Sequence, residues 1–290
     1  MVVDRPVGAI SGQETNFGIE APTIIDFSSR GPIESPTRSV YPSANDILKP
    51  DVSAPGVSIW AGFSPHGDPR QFYFNLISGT SMASPHVAGI GALVKQAHPD
   101  WDPFWIKSAI QTTALVTNNK GNIIPGSPPT VPGTPFDYGS GQINPTNVTD
   151  PGLVYPSKFE DYIGFLYYIS ASKALQLSGM PPPSKTIAPR DLNLPNIAIS
   201  NLKGSATVSR TVVNVAEAGS DEFTISINAP TGVEVSIEPT TLRVKRGESA
   251  SFEVTFTVID PSEEFVFGSF LWSNGHYIVR STLAVQPIEK

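Results

Sequence analysis

The sequence predicts an α/β half followed by an all-β sandwich. Three observations carry that expectation: short apolar strands alternate with clear helices over the first half, a Pro-rich break falls at GMPPPSKTIAPRD, and alternating short segments fill the remainder. The break divides the chain into residues 1–185 and 186–290. A length of 290 residues fits two domains, at about 150 residues each.

The elements follow in order. VVDRPVGAIS is strand-like, and so are PTIIDFSS and PGVSIWAGF, while FNLIS runs directly into GTS. From Ser81 to about His98 the pattern is helical, with Pro85 tolerated in the first turn. Ala83, Ala88, Gly89, Gly91 and Ala92 would let this helix approach a sheet closely, so a central, buried helix is expected. A second helix starts with Asp102 as N-cap and Pro103 at its first position. A third is expected from a capping box at Ser157-Lys158-Phe159-Glu160. Between these two, GSPPTVPGTPFDYGSGQINP reads as a long loop without regular structure. Beyond the break, NIAISNL, SATVSRTVVNV, EFTISINAP, VEVSIEP, TLRVKRG, SASFEVTFTVI, FVFGSFLWSNG and HYIVRSTLAV repeat every 8 to 12 residues or so, the spacing of a sandwich without helices.

Composition narrows the function classes. With 39% hydrophobic and 16% charged residues the chain reads as an ordinary globular protein, and no apolar run approaches the ~20 residues that span a bilayer. A formal net charge of −7 without a Lys/Arg cluster argues against nucleic acid as a partner. The absence of cysteine removes disulfides, Cys-based zinc sites and thiol nucleophiles. Acidic residues are scattered without calcium-loop spacing, so neither metal nor cofactor is expected. MVVDRPVGAISGQ lacks the basic start and apolar core of a signal peptide. Asn147-Val148-Thr149 is an N-glycosylation sequon, meaningful if the protein is secreted by a eukaryote.

The chemistry centres on Ser81. A serine is an effective nucleophile when a general base takes its proton and fixed donors stabilise the oxyanion. At a helix N-terminus its own N–H is free of intrahelical bonding, and the positive end of the helix dipole faces developing negative charge.

Gly79 to Gly89, GTSMASPHVAG, resembles the nucleophile segment of subtilisin-like serine proteases throughout. DFSSRGP (Asp26–Pro32), ILKPDVSAPG (Ile47–Gly56) and DYGSGQINP followed by DPGLVYP extend the resemblance toward the plant-type, pyrolysin-related branch, whose members carry a fibronectin-III-like sandwich after a parallel-sheet protease domain. The resemblance is dense over about residues 21–166 and architectural from about 190 onward. It implies that Ser81 is the acyl-forming nucleophile of a serine endopeptidase and that Met82 beside it is oxidation-sensitive. It also implies a peptide or protein substrate, an extracellular location, and a sandwich that stabilises the protease or mediates a homodimer.

In that family the Asp and His of the triad, and a side-chain Asn that donates to the oxyanion, come before the Ser, so all three are expected upstream of residue 1. No Asp-Thr/Ser-Gly segment is present, and Asn16, Asn45 and Asn75 lie in no recognisable context. His86, five positions from Ser81, is about 140° away around the helix. His98 reads as a structural residue at a helix C-terminus, His66 as a loop residue, and His276 as part of a strand. By this reading the chain is a fragment, inactive alone, that needs the upstream part of its domain. Two other classes stand beside it: a noncatalytic remnant or binding protein, including one produced by a truncated gene model, and an α/β-hydrolase esterase, because Gly79-Thr80-Ser81-Met82-Ala83 nearly fits G-x-S-x-G.

Overall fold

A computed structural model describes residues 18–33, 46–67, 72–169 and 176–289. The strand expected at VVDRPVGAIS, together with Asn16 and Asn45, lies outside them. The first half comprises an antiparallel hairpin of β1 (Ile59–Gly62) and β2 (Phe74–Ile77), the helices α1 (Thr80–Ala97), α2 (Pro103–Thr112) and α4 (Phe159–Tyr168), a one-turn helix α3 (Pro135–Tyr138), and the short strand β3 (Leu153–Val154). The second half departs from the helix-free expectation only by one 3-10 turn among the described residues, Pro189–Asp191, and is otherwise strand: β4 (Ile197–Lys203), β5 (Ser205–Asn214), β6 (Glu222–Asn228), β7 (Val233–Glu238), β8 (Thr241–Arg243), β9 (Ser249–Val258), β10 (Val266–Ser273) and β11 (Ile278–Ile288).

Most starts and stops follow local chemistry. Asp102 caps α2 as expected, its Oδ1 accepting from the amides of Phe104 (2.8 Å) and Trp105 (3.0 Å). The capping box of α4 is displaced by one residue. Lys158 is the N-cap and its amide donates to the Asp161 carboxylate, whereas the Ser157 hydroxyl donates to the Asn193 carbonyl at 3.1 Å. The long loop is also more regular than expected. Thr134 and Asp137 form a capping box that winds Pro135–Tyr138 into one turn, with Asp137 Oδ2 accepting from Thr134 N and Oγ1. PTIIDFSS forms no strand among the described residues; Ile24 is buried there, and its amide donates to the Pro125 carbonyl. The parallel pairing described in the first half is the bridge between Ser53 and Gln142.

The sandwich packs a five-stranded sheet, in the order β4-β11-β10-β6-β8, on a four-stranded sheet, β3-β5-β9-β7. Period-2 alternation sets its core. On β9 the buried Phe252, Val254 and Phe256 point inward while Glu253 points out, and Phe270, Trp272, Val279 and Leu283 answer from the facing sheet. β5 carries two polar residues on its inward face, Arg210 and Asn214, and Asn214 at the strand end donates to the Val244 carbonyl. Arg210 is 1% exposed and donates to the carbonyls of Arg190, Leu194 and Ser209, and burial pulls its guanidinium down to about 10.

The two halves are sewn together. β3, from the DPGLVYP segment, pairs with β5 of the sandwich. The end of the Pro-rich stretch is held in place rather than extended as a free tether: Asn193 Nδ2 donates to the carbonyls of Pro156 and Thr211, and Leu192 is buried. Asp46 Oδ1 accepts from the amide and hydroxyl of Ser200, Arg280 donates to the Ser140 carbonyl, and Phe136 packs edge-on against Phe265 and Phe267.

Tyr155 sits at this seam, fully buried, with its hydroxyl 2.8 Å from that of Ser281. Burial pushes its phenol up to about 12, outweighing the hydrogen bond to Ser281 and the charge of Arg210. The folded state therefore favours the neutral phenol, whereas an unfolded tyrosine ionises near pH 10. Stability from this group is complete below about pH 10 and is lost as pH rises toward 12, by up to about 3 kcal/mol for a shift of two pH units. In denaturant titrations, Tyr155→Phe is expected to flatten the loss of stability between about pH 10 and 12; an unchanged slope would show that another group controls it.

Candidate functional site

Ser81 is the second residue of α1. β2 delivers the chain to Ser78, whose Oγ accepts from the Ser58 amide, and Gly79 then breaks the strand as the N-cap. The Gly79 amide donates to the Gly56 carbonyl (2.8 Å), and the Gly79 carbonyl accepts from the amides of Met82 (3.0 Å) and Ala83 (3.4 Å). Gly56 is required by this approach: a Cβ there would lie 2.9 Å from the Gly79 carbonyl oxygen and 3.3 Å from Ala83 Cβ.

The helix thus begins with the amides of Thr80 and Ser81 donating to no group among the described residues. Ser81 is exposed, and its hydroxyl has no hydrogen-bond partner among them. Two free amides at the positive end of an 18-residue helix form a place where negative charge is stabilised. A cavity of about 810 Å³ runs along the flank of this first turn, lined by Ile25, Phe27, Val57, Thr80, Ala83 and Val87.

The strings that flank the serine in sequence converge beneath it. Gly31 of DFSSRGP donates to the Phe136 carbonyl, and Arg30 bridges to Asp137 at 2.5 Å. The 51–53 stretch of ILKPDVSAPG zips against 140–143: the Ser140 amide donates to Asp51, Ser53 to Gly141, and Ile143 to Ser53. Gly141, at φ +130°, tolerates no side chain, because a Cβ would come within 2.3 Å of the Leu115 carbonyl oxygen. Asp51 is committed to this scaffold. Burial alone would raise its carboxyl, but Lys107 (3.0 Å) and Lys49 (2.5 Å) hold it below the usual range, and Gln111 donates to it as well.

The histidines are occupied elsewhere or apart. His86 Nδ1 lies 2.8 Å from the Met82 carbonyl of its own helix. His98 is the C-cap of α1; it stacks on Trp101 at 3.9 Å and reaches the Thr149 carbonyl through Nε2. His66 lies exposed in a turn between β1 and β2. His276 falls in the turn before β11 rather than in a strand, its ring against Tyr277. Asn75 is in β2, with its Oδ1 accepting from the Leu76 amide. Among the described residues no cluster of three or more His, Cys, Asp or Glu side chains could hold a metal.

α1 is not the buried helix that its small residues suggest. Ile90 and Val94 are its buried positions, packed with Ala109, Ile110 and Trp101, while Ala88, Gly89 and Ala92 are exposed and Leu93 is 52% exposed. One stripe is covered and the other faces out. The hairpin beside it is equally open: Trp60 stacks on Phe74 at 5.8 Å, and both are more than half exposed. These aromatics lie in segments read as strands, and strand propensity gives no signal of which face lacks a cover.

Both halves of the chain are similar to known proteins. Residues 7–141 match the subtilase family, and residues 191–285 match a fibronectin type-III domain. Among curated Arabidopsis thaliana proteins, the chain is 40% identical to subtilisin-like protease SBT2.6 over 94% of its own length and 35% of that protein. It is 40% identical to subtilisin-like protease SBT1.7 over 97% of its length and 38% of that protein, and 41% identical to a CO(2)-response secreted protease over 91% and 36%. The chain spans little more than a third of the length of these relatives.

Proposed function

From the premise that residues 7–141 belong to the subtilase family and are joined to a fibronectin type-III domain, we propose that the chain is the nucleophile-bearing part of a serine endopeptidase in which Ser81 forms the acyl-enzyme. The observation that carries this reading is the exposed Ser81 hydroxyl at the second position of α1, beside amides free of intrahelical partners. The Ser81 oxygen attacks the scissile carbonyl while its proton passes to a histidine base. The Ser81 amide, at the positive end of the helix, donates to the resulting oxyanion. The tetrahedral intermediate expels the amine, which takes the proton from the histidine. Water then attacks the ester and regenerates the serine.

The histidine, its aspartate and a second, side-chain oxyanion donor come from the upstream part of the same domain, and two observations support that assignment. The relatives are longer than this chain, and the apolar side chains of α1 and the 25–27 and 57–60 stretches stand exposed next to the serine. A covering layer would bury Leu93, Phe27 and Val57 and place the parallel strands beside Ser53. Peptides or proteins are the substrates, and the protein acts outside the cell, as one relative described as a secreted protease does.

Fluorophosphonate labelling tests the reading. The native polypeptide is expected to label at Ser81 rapidly, and residues 1–290 alone only at the rate of an ordinary serine. Rapid labelling of residues 1–290 that disappears in Ser81→Ala would show that no upstream base is needed. A native polypeptide that never labels would favour a noncatalytic binding protein. Hydrolysis of small esters without peptide cleavage would favour the esterase.

A further inference from the structure

The sequence contains one open N-x-S/T frame, Asn147-Val148-Thr149; the adjacent candidate three residues earlier, Asn144-Pro145-Thr146, is closed by its proline. We propose that Asn147 is the acceptor of an N-linked glycan when the chain passes through a eukaryotic secretory pathway. The inference rests on the extracellular reading given above.

The fold treats the two asparagines differently. Asn144 is buried, with Nδ2 donating to the Thr113 carbonyl and Oδ1 accepting from the Thr146 amide. Asn147 sits in the 145–149 turn, exposed, and its side-chain amide has no partner among the described residues. Adding a sugar to its Nδ2 therefore breaks no hydrogen bond and displaces no packing. The turn itself is anchored around that free amide. Val148 is 1% exposed among α1, α2 and β3, and the Thr149 carbonyl is held by His98 Nε2. A glycan would leave the protein from a fixed point.

That point is the rim of a cleft of about 640 Å³ between the first half and the sandwich, where Leu115 and Ile278 stand 48% and 64% exposed. A sugar at Asn147 covers this apolar mouth with hydroxyls, which disfavours association through it. In the transfer step, the Asn147 amide nitrogen attacks the anomeric carbon of a lipid-pyrophosphate-linked oligosaccharide. The C–N bond forms as the C–O bond to the pyrophosphate breaks, the lipid pyrophosphate leaves with its electron pair, and the amide proton passes to the transferase base.

The test is translation of the chain behind a cleavable signal sequence in the presence of microsomes, followed by endoglycosidase H treatment and peptide mass spectrometry. One enzyme-sensitive step in mobility, located at Asn147, is expected. Asn147→Gln and Thr149→Ala should abolish it, and Thr149→Ser should retain it; none of these readouts requires the variant to fold. A translocated, protease-protected chain without that step, or a step that persists in Asn147→Gln, overturns the proposal. Recovery of the native protein from the cytosol would instead overturn the extracellular reading, and the acceptor assignment would stand on the microsome result.

Discussion

Replacing Ser81 with alanine in the native, full-length polypeptide is expected to lower kcat for peptide hydrolysis by about 10⁶-fold, the scale known for the nucleophile of subtilisin itself. The substitution is clean for reasons internal to this chain. The Ser81 side chain is exposed and makes no hydrogen bond among the described residues, and it does not cap α1, because Gly79 occupies that position. Alanine in the first turn removes neither a cap nor a packed side chain, so the helix should persist and the melting temperature should stay within a few degrees. Steady-state kinetics and a thermal melt on the same preparation check both halves of the expectation. Activity within tenfold of wild type would remove Ser81 from the mechanism, whatever family the chain belongs to. A residual rate some 10³-fold above the uncatalysed reaction would be consistent with it, since binding and oxyanion stabilisation survive loss of the nucleophile.

The largest expected effect on stability is at Phe252. Its ring is 1% exposed and meets Tyr155, Phe270 and Trp272 edge-on, at centroid distances of 6.5, 5.8 and 5.2 Å. Phe252→Ala is expected to cost about 3–5 kcal/mol, combining lost transfer free energy with a cavity that three rigid rings and two sheets cannot close. Against a typical total of about 5–15 kcal/mol, that removes a large share of the stability of the fold. The damage should cross the seam, because Tyr155 packs on Phe252 and the residues next to it form β3 of the same sandwich. Chemical denaturation is expected to show a lower midpoint, with the α2 amides losing hydrogen-exchange protection along with those of β9. Loss confined to β9 would show that the two halves unfold independently.

Both predictions join features that differ in how legible they were. The α2 cap at Asp102–Pro103 and the alternation of the sandwich strands were readable because each depends on residues close in sequence. A cap needs two or three neighbours, and a strand needs only a period of two. The capping box of α4 was displaced by one residue because Ser157 is claimed by Asn193, 36 positions away. Thr134 and Asp137 wound a turn in a segment dense with Pro and Gly, which the composition argued against. Arg210 breaks the apolar alternation of β5, and the carbonyls of Arg190 and Leu194, with that of its neighbour Ser209, make it tolerable.

Sequence alone determined where Ser81 lies: a small hydroxyl side chain where a strand meets a helix, inside an eleven-residue string that resembles the nucleophile segment of subtilisin-like proteases. It also determined the order of the α/β half and the sandwich, since hydrophobic period and turn residues are local quantities. Tertiary structure alone decided that Gly56 must be glycine for Gly79 to cap the helix, that Gly141 must lack a side chain against Leu115, and that β3 crosses into the sandwich. It also decided which stripe of α1 is covered. A run of small residues reports how near a neighbour could come; the contacts of Ile90 and Val94, and the exposure of Leu93, report where a neighbour lies. Burial is a property of what faces a side chain, and that depends on residues distant in the chain.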